Sequence, residues 1–506
     1  MSKSPNAVAI PGLVLEGRSP LPMYRRIYDG IRALVLDGRL QPGQALPSSR
    51  SLAAERGISR NTVVAAFEQL AAEGFLVTRV GDATRVAPGR KGGAPSHGST
   101  HPRIGRRPRF SRRGAPLAAA VVSLPASIGR WRAFRAGVPA LDAFPYALWA
   151  RLSAARWRRA DRSLAAYGDP AGYRPLREAV AAYLSSARAV RCIADQVVIV
   201  SGSQQALDLI VRLLLDAGDH AWIEDPGYLG ARAALLGAGV TAVPVRVDGD
   251  GFDPAAALRA HSGARLAYVT PSHQYPTGAV MSVARRLALL AWARRARGWI
   301  IEDDYDGEFR YRGKPLASLQ GLDDDGRVIY VGTFSKVLLP GLRLGYVVAP
   351  PELAAGLIRA KAVSDRHCAG IDQAVVADFI TQGHFARHLR RMRELYQERQ
   401  GTLVAAAEKD LSGLLEIASS PAGMHVVGYT ARGIDDRLAA AAAAREGVET
   451  SALSSFRMTR RGPGGLVLGY AQAAPAEIES GVRSLRAALI EAESSTRSQK
   501  HIMKSR

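Results

Sequence analysis

Residues 333–346 read TFSKVLLPGLRLGY and combine the features around which the rest of the chain is organised. Lys336 follows two small hydroxyl residues, and an apolar turn separates it from Arg343. Apolar surroundings or a neighbouring cation lower the pKa of a lysine and free its amine for nucleophilic attack, and a guanidinium group suits phosphate. The stretch predicts a site for an aldehyde that carries a phosphate. Taken alone, it is equally compatible with a solvated surface lysine.

Stretches rich in valine and isoleucine alternate with helical stretches through the C-terminal part of the chain. The predicted strands are 197–200, 221–224, 267–270, 299–303, 328–331 and 344–349. Helical segments such as 204–215 and 283–297 separate them. This alternation predicts a mostly parallel sheet covered by helices on both faces, and such sheets bind ligands at the carboxyl ends of their strands.

A short motif follows each of five predicted strands. The motifs are SGSQQ at 201–205, DPGY at 225–228, PSHQYPTG at 271–278, EDDYD at 302–306 and the stretch quoted above. Ser203 opens a helix whose amides suit phosphate, Tyr228 offers an aromatic face, and Asp303 can pair with a pyridinium nitrogen. Each motif alone is explained by a cap, a turn or a core aromatic, but five in register predict one binding site.

The N-terminal part predicts a DNA-binding unit. Apolar residues recur at three- and four-residue spacing over 23–36, which predicts a helix with one apolar face. Ser48 and Ser59 stand at the N-cap positions of two further helices, joined by a turn at Gly57. The polar start of the second helix fits a recognition helix in the major groove. A helical protein-interaction module is the alternative.

The charge distribution supports a polyanionic partner. The 506 residues carry a formal net charge of +23, and residues 83–141 contain no Asp or Glu. Part of that stretch, 89–133, predicts a flexible basic linker. An arginine-rich composition without functional meaning is the alternative. The absence of long apolar runs and of a secretory signal predicts a cytoplasmic protein, and two cysteines, Cys192 and Cys368, predict neither disulfides nor a metal site.

The N-terminal unit resembles the winged helix-turn-helix of GntR-family regulators. The phrases that carry the resemblance are GRLQPGQALPSSRSLA at 38–53 and SRNTVVAAFEQLAAEG at 59–74. The resemblance implies binding of double-stranded operator DNA by Arg50, Ser59, Arg60, Asn61 and Thr62.

The predicted wing departs from the family pattern. Segments 75–80 and 84–87 read as its two strands, but GDATRV stands where the family usually has GSGTFV. Asp82 would repel the DNA backbone and Arg85 would attract it, which leaves the contribution of the wing open.

The C-terminal unit resembles the class I/II aminotransferases, pyridoxal-phosphate proteins of fold type I. The resemblance implies that Lys336 forms a Schiff base with pyridoxal 5'-phosphate, that Asp303 pairs with the pyridine nitrogen and that Tyr305 contacts the phenolic oxygen. It implies a stacking role for Tyr228. It further implies phosphate binding by Ser203, Gln204, Thr333 and Arg343, and by Tyr167 across a homodimer interface.

Two positions depart from the aminotransferase pattern. Tyr275 replaces an asparagine that usually touches the phenolic oxygen, and Val467 stands where an arginine usually binds the substrate carboxylate. Arg457, Arg460 and Arg461 are the candidate replacements for that arginine.

The two units together resemble the MocR/GabR subfamily of GntR regulators. The predicted fold is multidomain, with a winged helix-turn-helix at 18–88, the linker at 89–133, an α/β aminotransferase-like domain at 134–490 and a polar tail at 491–506. The resemblance implies a transcriptional regulator, and the alternative is an aminotransferase acting on an amino acid. Because Val467 removes a carboxylate partner, the effector is predicted to be pyridoxal phosphate itself, with vitamin B6 genes as targets. An amine or amino-acid effector, and a head-to-tail swapped dimer, stay open.

Overall fold

The structure is a computed structural model that describes residues 10–15, 20–78, 82–88, 110–120, 132–158, 162–313, 316–459 and 462–504. It divides into two compact units, Met1–Pro108 and Arg109–Arg506. Over the described ranges, none of the helices is both long enough and apolar enough to cross a membrane.

The first unit is a winged helix-turn-helix, as predicted. Its elements are helices α1 (Met23–Leu36), α2 (Ser49–Arg56) and α3 (Arg60–Ala72) and strands β1 (Leu76–Val77) and β2 (Arg85–Val86). Ile31, Leu52 and Val63, one from each helix, are fully buried in a single core. The antiparallel pair β1–β2 forms the wing, and the remainder of the predicted wing turn lies partly outside the described residues.

The ends of the two central helices follow from local chemistry. The Ser48 hydroxyl accepts a hydrogen bond from the Ser51 amide at 3.1 Å and caps α2, and Gly57 ends that helix with a φ of +63°. Ser59 occupies the N-cap position of α3, but its side chain makes no capping hydrogen bond. The backbone carbonyl of Ser59 accepts hydrogen bonds from the amides of Thr62 and Val63 at the start of α3. The Ser59 residue is exposed there.

The second unit contains the remaining described helices. They are α4 (Gly114–Ala118), α5 (Tyr146–Arg158), α6 (Arg162–Ala165), α7 (Arg174–Arg188), α8 (Ser203–Leu214), α9 (Leu229–Ala238), α10 (Pro254–Ala260), α11 (Val283–Ala296), α12 (Phe334–Val337), α13 (Pro351–Ser364), α14 (Gly370–Thr381), α15 (His384–Asp410), α16 (Asp436–Arg445) and α17 (Pro475–Lys504).

Its strands form two sheets. They are β3 (Val197–Val200), β4 (His220–Asp225), β5 (Thr241–Asp248), β6 (Gly251–Phe252), β7 (Leu266–Val269), β8 (Trp299–Asp304), β9 (Val328–Thr333), β10 (Gly345–Val348), β11 (Leu415–Ile417), β12 (His425–Thr430), β13 (Ser451–Ala452) and β14 (Gly465–Gly469). The large sheet has the order β3-β10-β9-β8-β7-β4-β5-β6, and the small antiparallel sheet has the order β11-β12-β14-β13.

Strand direction brings the five motifs to one edge of the large sheet. Strands β4, β7, β8 and β9 run parallel to one another. Strand β3 runs the same way as β9, because both are antiparallel to β10. The prediction of a mostly parallel α/β sheet is confirmed, with β10 as an antiparallel strand inside it.

Two of the predicted segments outside the domains, the tail at 491–506 and the linker at 89–133, contain helical residues. Helix α17 continues to Lys504, past residue 490, because the buried positions Ile478, Val482, Leu485 and Leu489 extend at helical spacing to Ala492. Within the predicted linker, residues 110–120 include the short helix α4, and the Leu117 side chain lies against α9 near Gly237. The linker residues 89–109 and 121–131 lie outside the described ranges.

A buried ion pair fixes the end of β8. The Asp304 carboxylate accepts hydrogen bonds from Arg188 Nε at 2.8 Å and from the Tyr330 hydroxyl at 2.6 Å. Both charged side chains are only 2% exposed. This pair anchors Asp304, the residue immediately after Asp303, at the end of β8.

We predict that Asp304→Ala destabilises the second unit by about 3–5 kcal/mol, because it leaves the buried Arg188 cation without its carboxylate. All six tryptophans lie in the second unit, so urea unfolding followed by tryptophan fluorescence reports on that unit. The matched control is Asp324→Ala, which breaks an exposed pair with Arg191 and is expected to cost less than about 1 kcal/mol. Equal effects of the two variants would contradict the structural role of Asp304.

Candidate functional site

Lys336 lies in α12, immediately after strand β9. The Thr333 hydroxyl caps this helix by accepting a hydrogen bond from the Ser335 amide at 3.1 Å. The Lys336 ammonium donates to the Gly137 carbonyl oxygen at 2.7 Å. Burial lowers the pKa of Lys336 below its ordinary value, against the opposing charges of Asp306 and Asp303. The amine is therefore more nucleophilic at neutral pH than a surface lysine.

Gly137 brings the N-terminal segment of the second unit against Lys336. Its φ is +78°, and a Cβ atom at this position would lie 2.7 Å from Lys336 Nζ. A larger residue would therefore occupy the space next to the amine. The sequence patterns did not identify Gly137, because its contact with Lys336 joins two segments that are distant in the chain.

Asp303 supplies a buried carboxylate at the end of β8. Its Oδ2 atom accepts a hydrogen bond from the Tyr268 hydroxyl at 2.8 Å. Its Oδ1 atom is buried and has no hydrogen-bond partner among the described residues. Burial raises the pKa of Asp303 to about 7, although the Tyr268 hydrogen bond and the Lys336 charge oppose the shift. A buried acceptor without a partner fits a protonated ring nitrogen of a ligand.

Tyr305 follows Asp303 by two residues and contacts a histidine. Its hydroxyl lies 3.0 Å from His273 Nδ1, which also lies 3.0 Å from Asp306 Oδ2. Burial, followed by the Asp306 charge, raises the pKa of Tyr305 well above its ordinary value. The Tyr305 hydroxyl thus stays protonated and is available as a hydrogen-bond donor.

The start of α8 and the Arg343 guanidinium group lie next to each other and form one polar surface. Gly202 is the N-cap residue of α8 with a φ of +88°, and Ser203 is the first helical residue. A Cβ atom at Gly202 would lie 3.2 Å from Arg343 Nη2. Arg343 Nη2 also donates to the Ser201 carbonyl oxygen at 3.2 Å. Helix-terminal amides beside a guanidinium group suit a phosphate.

Gln204 and Tyr228 lie next to this surface. Gln204 Nε2 donates to the Gly230 carbonyl oxygen at 2.9 Å, and its Oε1 lies 3.5 Å from the Tyr228 hydroxyl. The Tyr228 ring packs edge-on to Tyr275, with 6.0 Å between ring centroids. Burial raises the pKa of Tyr228 to about 12. The half-buried ring is available for stacking against a flat ligand.

Tyr167 is separate from this group. It is 82% exposed, its ring lies edge-on to His367, and the Arg366 guanidinium lies 5.1 Å from its ring centroid. The single chain therefore does not bring Tyr167 into contact with the other predicted phosphate ligands.

The position of the missing carboxylate arginine is apolar. Val467 is fully buried in a cluster with Val427, Leu453 and Phe456. Tyr275 packs against this cluster. Val467 therefore places an apolar side chain, and no guanidinium group, at this position.

Of the three candidate replacements for that arginine, Arg457 lies within the described residues. Arg457 Nη2 donates to the Pro463 carbonyl oxygen at 2.6 Å. Arg460 and Arg461 lie outside the described residues.

The predicted DNA-contacting residues lie at the starts of α2 and α3. Arg50, Ser59, Arg60 and Asn61 are exposed, and Thr62 is partly exposed. In the wing, Arg85 Nε lies 3.6 Å from Asp82 Oδ2, so the two opposing charges form a pair. This pairing reduces the net charge that the wing presents to DNA.

Two family descriptions match the chain. The description "Bacterial regulatory proteins, gntR family" matches residues 23–86, and "Aminotransferase class I and II" matches residues 136–485.

Relatives along the full length are named regulators. The chain is 41% identical to the probable rhizopine catabolism regulatory protein MocR of Rhizobium meliloti, over 96% of this chain and 97% of that protein. It is 31% identical to the pyridoxine biosynthesis transcriptional regulator PdxR of Corynebacterium glutamicum, over 90% of this chain and 94% of that protein.

A solved structure similar to the second unit is an aminotransferase. The α-aminoadipate aminotransferase LysN of Thermus thermophilus, complexed with N-(5'-phosphopyridoxyl)-L-leucine, is 31% identical with a TM-score of 0.66. The match covers 71% of this chain and 92% of that one. The aminotransferase match thus accounts for the second unit, whereas the regulators match both units. The chain belongs to the MocR-type regulators of the GntR family, in which a DNA-binding winged helix-turn-helix precedes an aminotransferase-like domain, and it is a transcriptional regulator rather than an aminotransferase.

Proposed function

We propose that the second unit binds pyridoxal 5'-phosphate covalently at Lys336 and that this binding controls the affinity of the first unit for operator DNA. The observation that carries the proposal is the buried Asp303 Oδ1 atom, which lacks a partner among the described residues. It belongs to a carboxylate close enough to Lys336 to affect the pKa of that amine. A carboxylate and a nucleophilic amine in one buried site match a ring nitrogen and an aldehyde on one ligand.

The surrounding residues fit the rest of that cofactor. Arg343 and the start of α8 at Ser203 would hold the phosphate, with Gln204 beside them. Thr333 would contribute its hydroxyl, and Tyr228 would stack on the ring. When bound, pyridoxal phosphate supplies an aldehyde that combines reversibly with amines. The protein would hold it by a covalent bond, an ion pair to Asp303 and an anion site.

We further propose that the regulator is a homodimer. Tyr167 is 82% exposed beside Arg366 and His367. An exposed aromatic hydroxyl in a basic setting suits a contact with the phosphate site of a second copy. A dimer also matches the two half-sites that winged helix-turn-helix regulators recognise in operators.

The apolar cluster at Val467 restricts the effector. A carboxylate placed against Val427, Leu453 and Phe456 would lose its hydration without gaining a partner. This supports pyridoxal phosphate itself as the effector, with genes of vitamin B6 metabolism as targets. PdxR is named for pyridoxine biosynthesis and MocR for rhizopine catabolism. An amine without a carboxylate is therefore the second candidate effector.

We predict that Asp303→Asn stabilises the cofactor-free protein at high pH and weakens cofactor binding. The pKa of Asp303 is raised to about 7 in the fold, above the value of about 3.9 in an unfolded chain. The wild-type protein therefore loses stability as pH rises from about 4 to 7, and the variant avoids this loss. Tryptophan-monitored urea unfolding is expected to show a gain of at least about 1 kcal/mol at pH 8 and none at pH 4.

The same variant is expected to bind pyridoxal phosphate about 10–100-fold more weakly, because a charge-assisted hydrogen bond is lost. Asn can still accept the Tyr268 hydrogen bond, so the local packing is retained. Asp324→Asn, at an exposed position, is the control. Unchanged cofactor affinity in Asp303→Asn would contradict the assigned role.

We predict that Arg60→Ala weakens operator binding by about 1–3 kcal/mol if Arg60 reads a base. The measurement is fluorescence anisotropy on a fragment defined by footprinting upstream of the gene for this protein. Arg25→Ala is the matched control, because Arg25 lies in α1 and pairs with Asp29. Equal affinity of Arg60→Ala and the wild type would remove Arg60 from the interface.

We predict that pyridoxal phosphate changes operator affinity and that amino acids produce no further change. Matched pairs of an amino acid and its decarboxylated amine, such as leucine and isoamylamine, are titrated into the cofactor-loaded protein while its absorption is followed. If the amine shifts the spectrum and the amino acid does not, the second candidate effector is correct. A specific shift by the amino acid would contradict the restriction inferred from Val467.

A further inference from the structure

Three buried side chains next to Tyr305 have no part in the proposed function so far. His273, Asp306 and His425 offer ligand atoms that all lie within 4.8 Å of one another. His273 and Asp306 come from two of the strand-end motifs, and His425 begins strand β12 of the small sheet. The group therefore connects the candidate cofactor site with the small sheet.

The contacts around His273 favour a hydrogen-bonded group over a metal site. His273 Nδ1 lies 3.0 Å from both the Tyr305 hydroxyl and Asp306 Oδ2. A Cβ atom at Gly278 would lie 3.1 Å from His273 Nε2, and one at Gly423 would lie 2.1 Å from Cε1. The backbone thus encloses the ring, and an ion at Nδ1 would have to displace Tyr305.

The position of the ring proton follows from Asp306. This carboxylate is 1% exposed, and both of its oxygens lie within 3.2 Å of His273 Nδ1. A buried carboxylate requires a donor, which places a proton on Nδ1. The Tyr305 oxygen lies at the same distance from Nδ1, and with the proton on Nδ1 it takes the acceptor role. The Tyr305 proton is then directed away from His273.

We propose that His273, held by Asp306, is a positioning residue that directs the Tyr305 hydroxyl towards the phenolic oxygen of the cofactor. This inference rests on the proposed binding of pyridoxal phosphate at Lys336. Tyr275 stands where aminotransferases usually have an asparagine that contacts the phenolic oxygen. The Tyr305 hydroxyl, oriented by His273, would compensate for that missing contact. A donor to the phenolic oxygen stabilises the form in which the lysine–cofactor linkage has lost its proton, and so lowers the pKa of that linkage.

Titratable groups near His273 and Tyr305 could also change the pKa of the lysine–cofactor linkage. His425 is held neutral, because burial and the neighbouring His273 lower its pKa to about 3. The titratable groups that act on Tyr305 are Asp306, Tyr275, Asp303 and Glu224, and Arg343 and Arg135 are the cations that act on Lys336. Substitutions that keep all of these groups isolate the effect of the His273 donor.

The test is a pH titration of the absorption of the bound cofactor in the full-length protein. His273→Leu removes the donor and is expected to raise the midpoint by about one pH unit. His273→Asn keeps a donor near the position of Nδ1 and is expected to titrate like the wild type. His261→Leu is the control, because His261 packs on His220 at the opposite end of β4.

A double-mutant cycle tests whether the effect passes through Tyr305. In the Tyr305→Phe background, His273→Leu is expected to cause no additional shift. If His273→Leu folds poorly, His273→Ala, which also lacks the donor and adds no bulk, takes its place in the titration and in the cycle.

Several results would overturn the inference. A wild-type midpoint in His273→Leu, or an equal shift in His273→Asn, would exclude a positioning role for His273. If the wild-type protein contains stoichiometric zinc and His273→Leu does not, then His273, Asp306 and His425 form a metal site instead of a hydrogen-bonded group. If the wild type forms no adduct at Lys336, the proposed function fails and this inference fails with it. If the wild-type adduct forms but the variants titrate alike, this inference alone fails.

Discussion

Charged groups buried at the carboxyl edge of the large sheet must have partners, and this requirement organises the site. Asp304 is paired with Arg188 and Tyr330, and Glu302 accepts two backbone amides after residue 318. Asp306 is satisfied by His273. Asp303 is the carboxylate in this series that retains an oxygen without a partner among the described residues. A carboxylate oxygen without a partner among the described residues thus lies near a lysine of lowered pKa, and a cationic ring nitrogen of a ligand would complement it.

The sequence was sufficient to predict which residues gather at this edge. Parallel strands bring their carboxyl ends together, so the motifs that follow the predicted strand ends Val200, Glu224 and Val331 must meet if the strand pattern is correct. The winged helix-turn-helix was predictable for a similar reason, because its caps at Ser48 and Gly57 depend on neighbours in the chain. Helix caps and turns depend on residues that are a few positions apart, so the sequence pattern predicts them directly.

Contacts between distant segments could not be read in the same way. Gly137 meets Lys336 across about two hundred residues, and Tyr268 donates to Asp303 from a neighbouring strand. His273 stands in a motif that was identified, yet its contact with Tyr305 depends on how two loops pack. The burial of Ala492 in helix α17 was likewise not predictable from the polar composition of the predicted tail, because alanine is found both in cores and on surfaces. A resemblance to aminotransferases also could not show that Val467 lies in an apolar cluster.

Under the proposed function, this site holds pyridoxal phosphate and responds to it without turning over amino acids. The apolar surroundings of Val467 fit that requirement, and Lys336 is the residue on which the account depends. The most direct measurement is borohydride reduction of the protein with pyridoxal phosphate, followed by peptide mass spectrometry of the wild type and of Lys336→Ala. We expect a single saturable adduct on the peptide that contains Lys336, and none in the variant. Adducts spread over surface lysines, or a saturable adduct that persists in Lys336→Ala, would contradict the account.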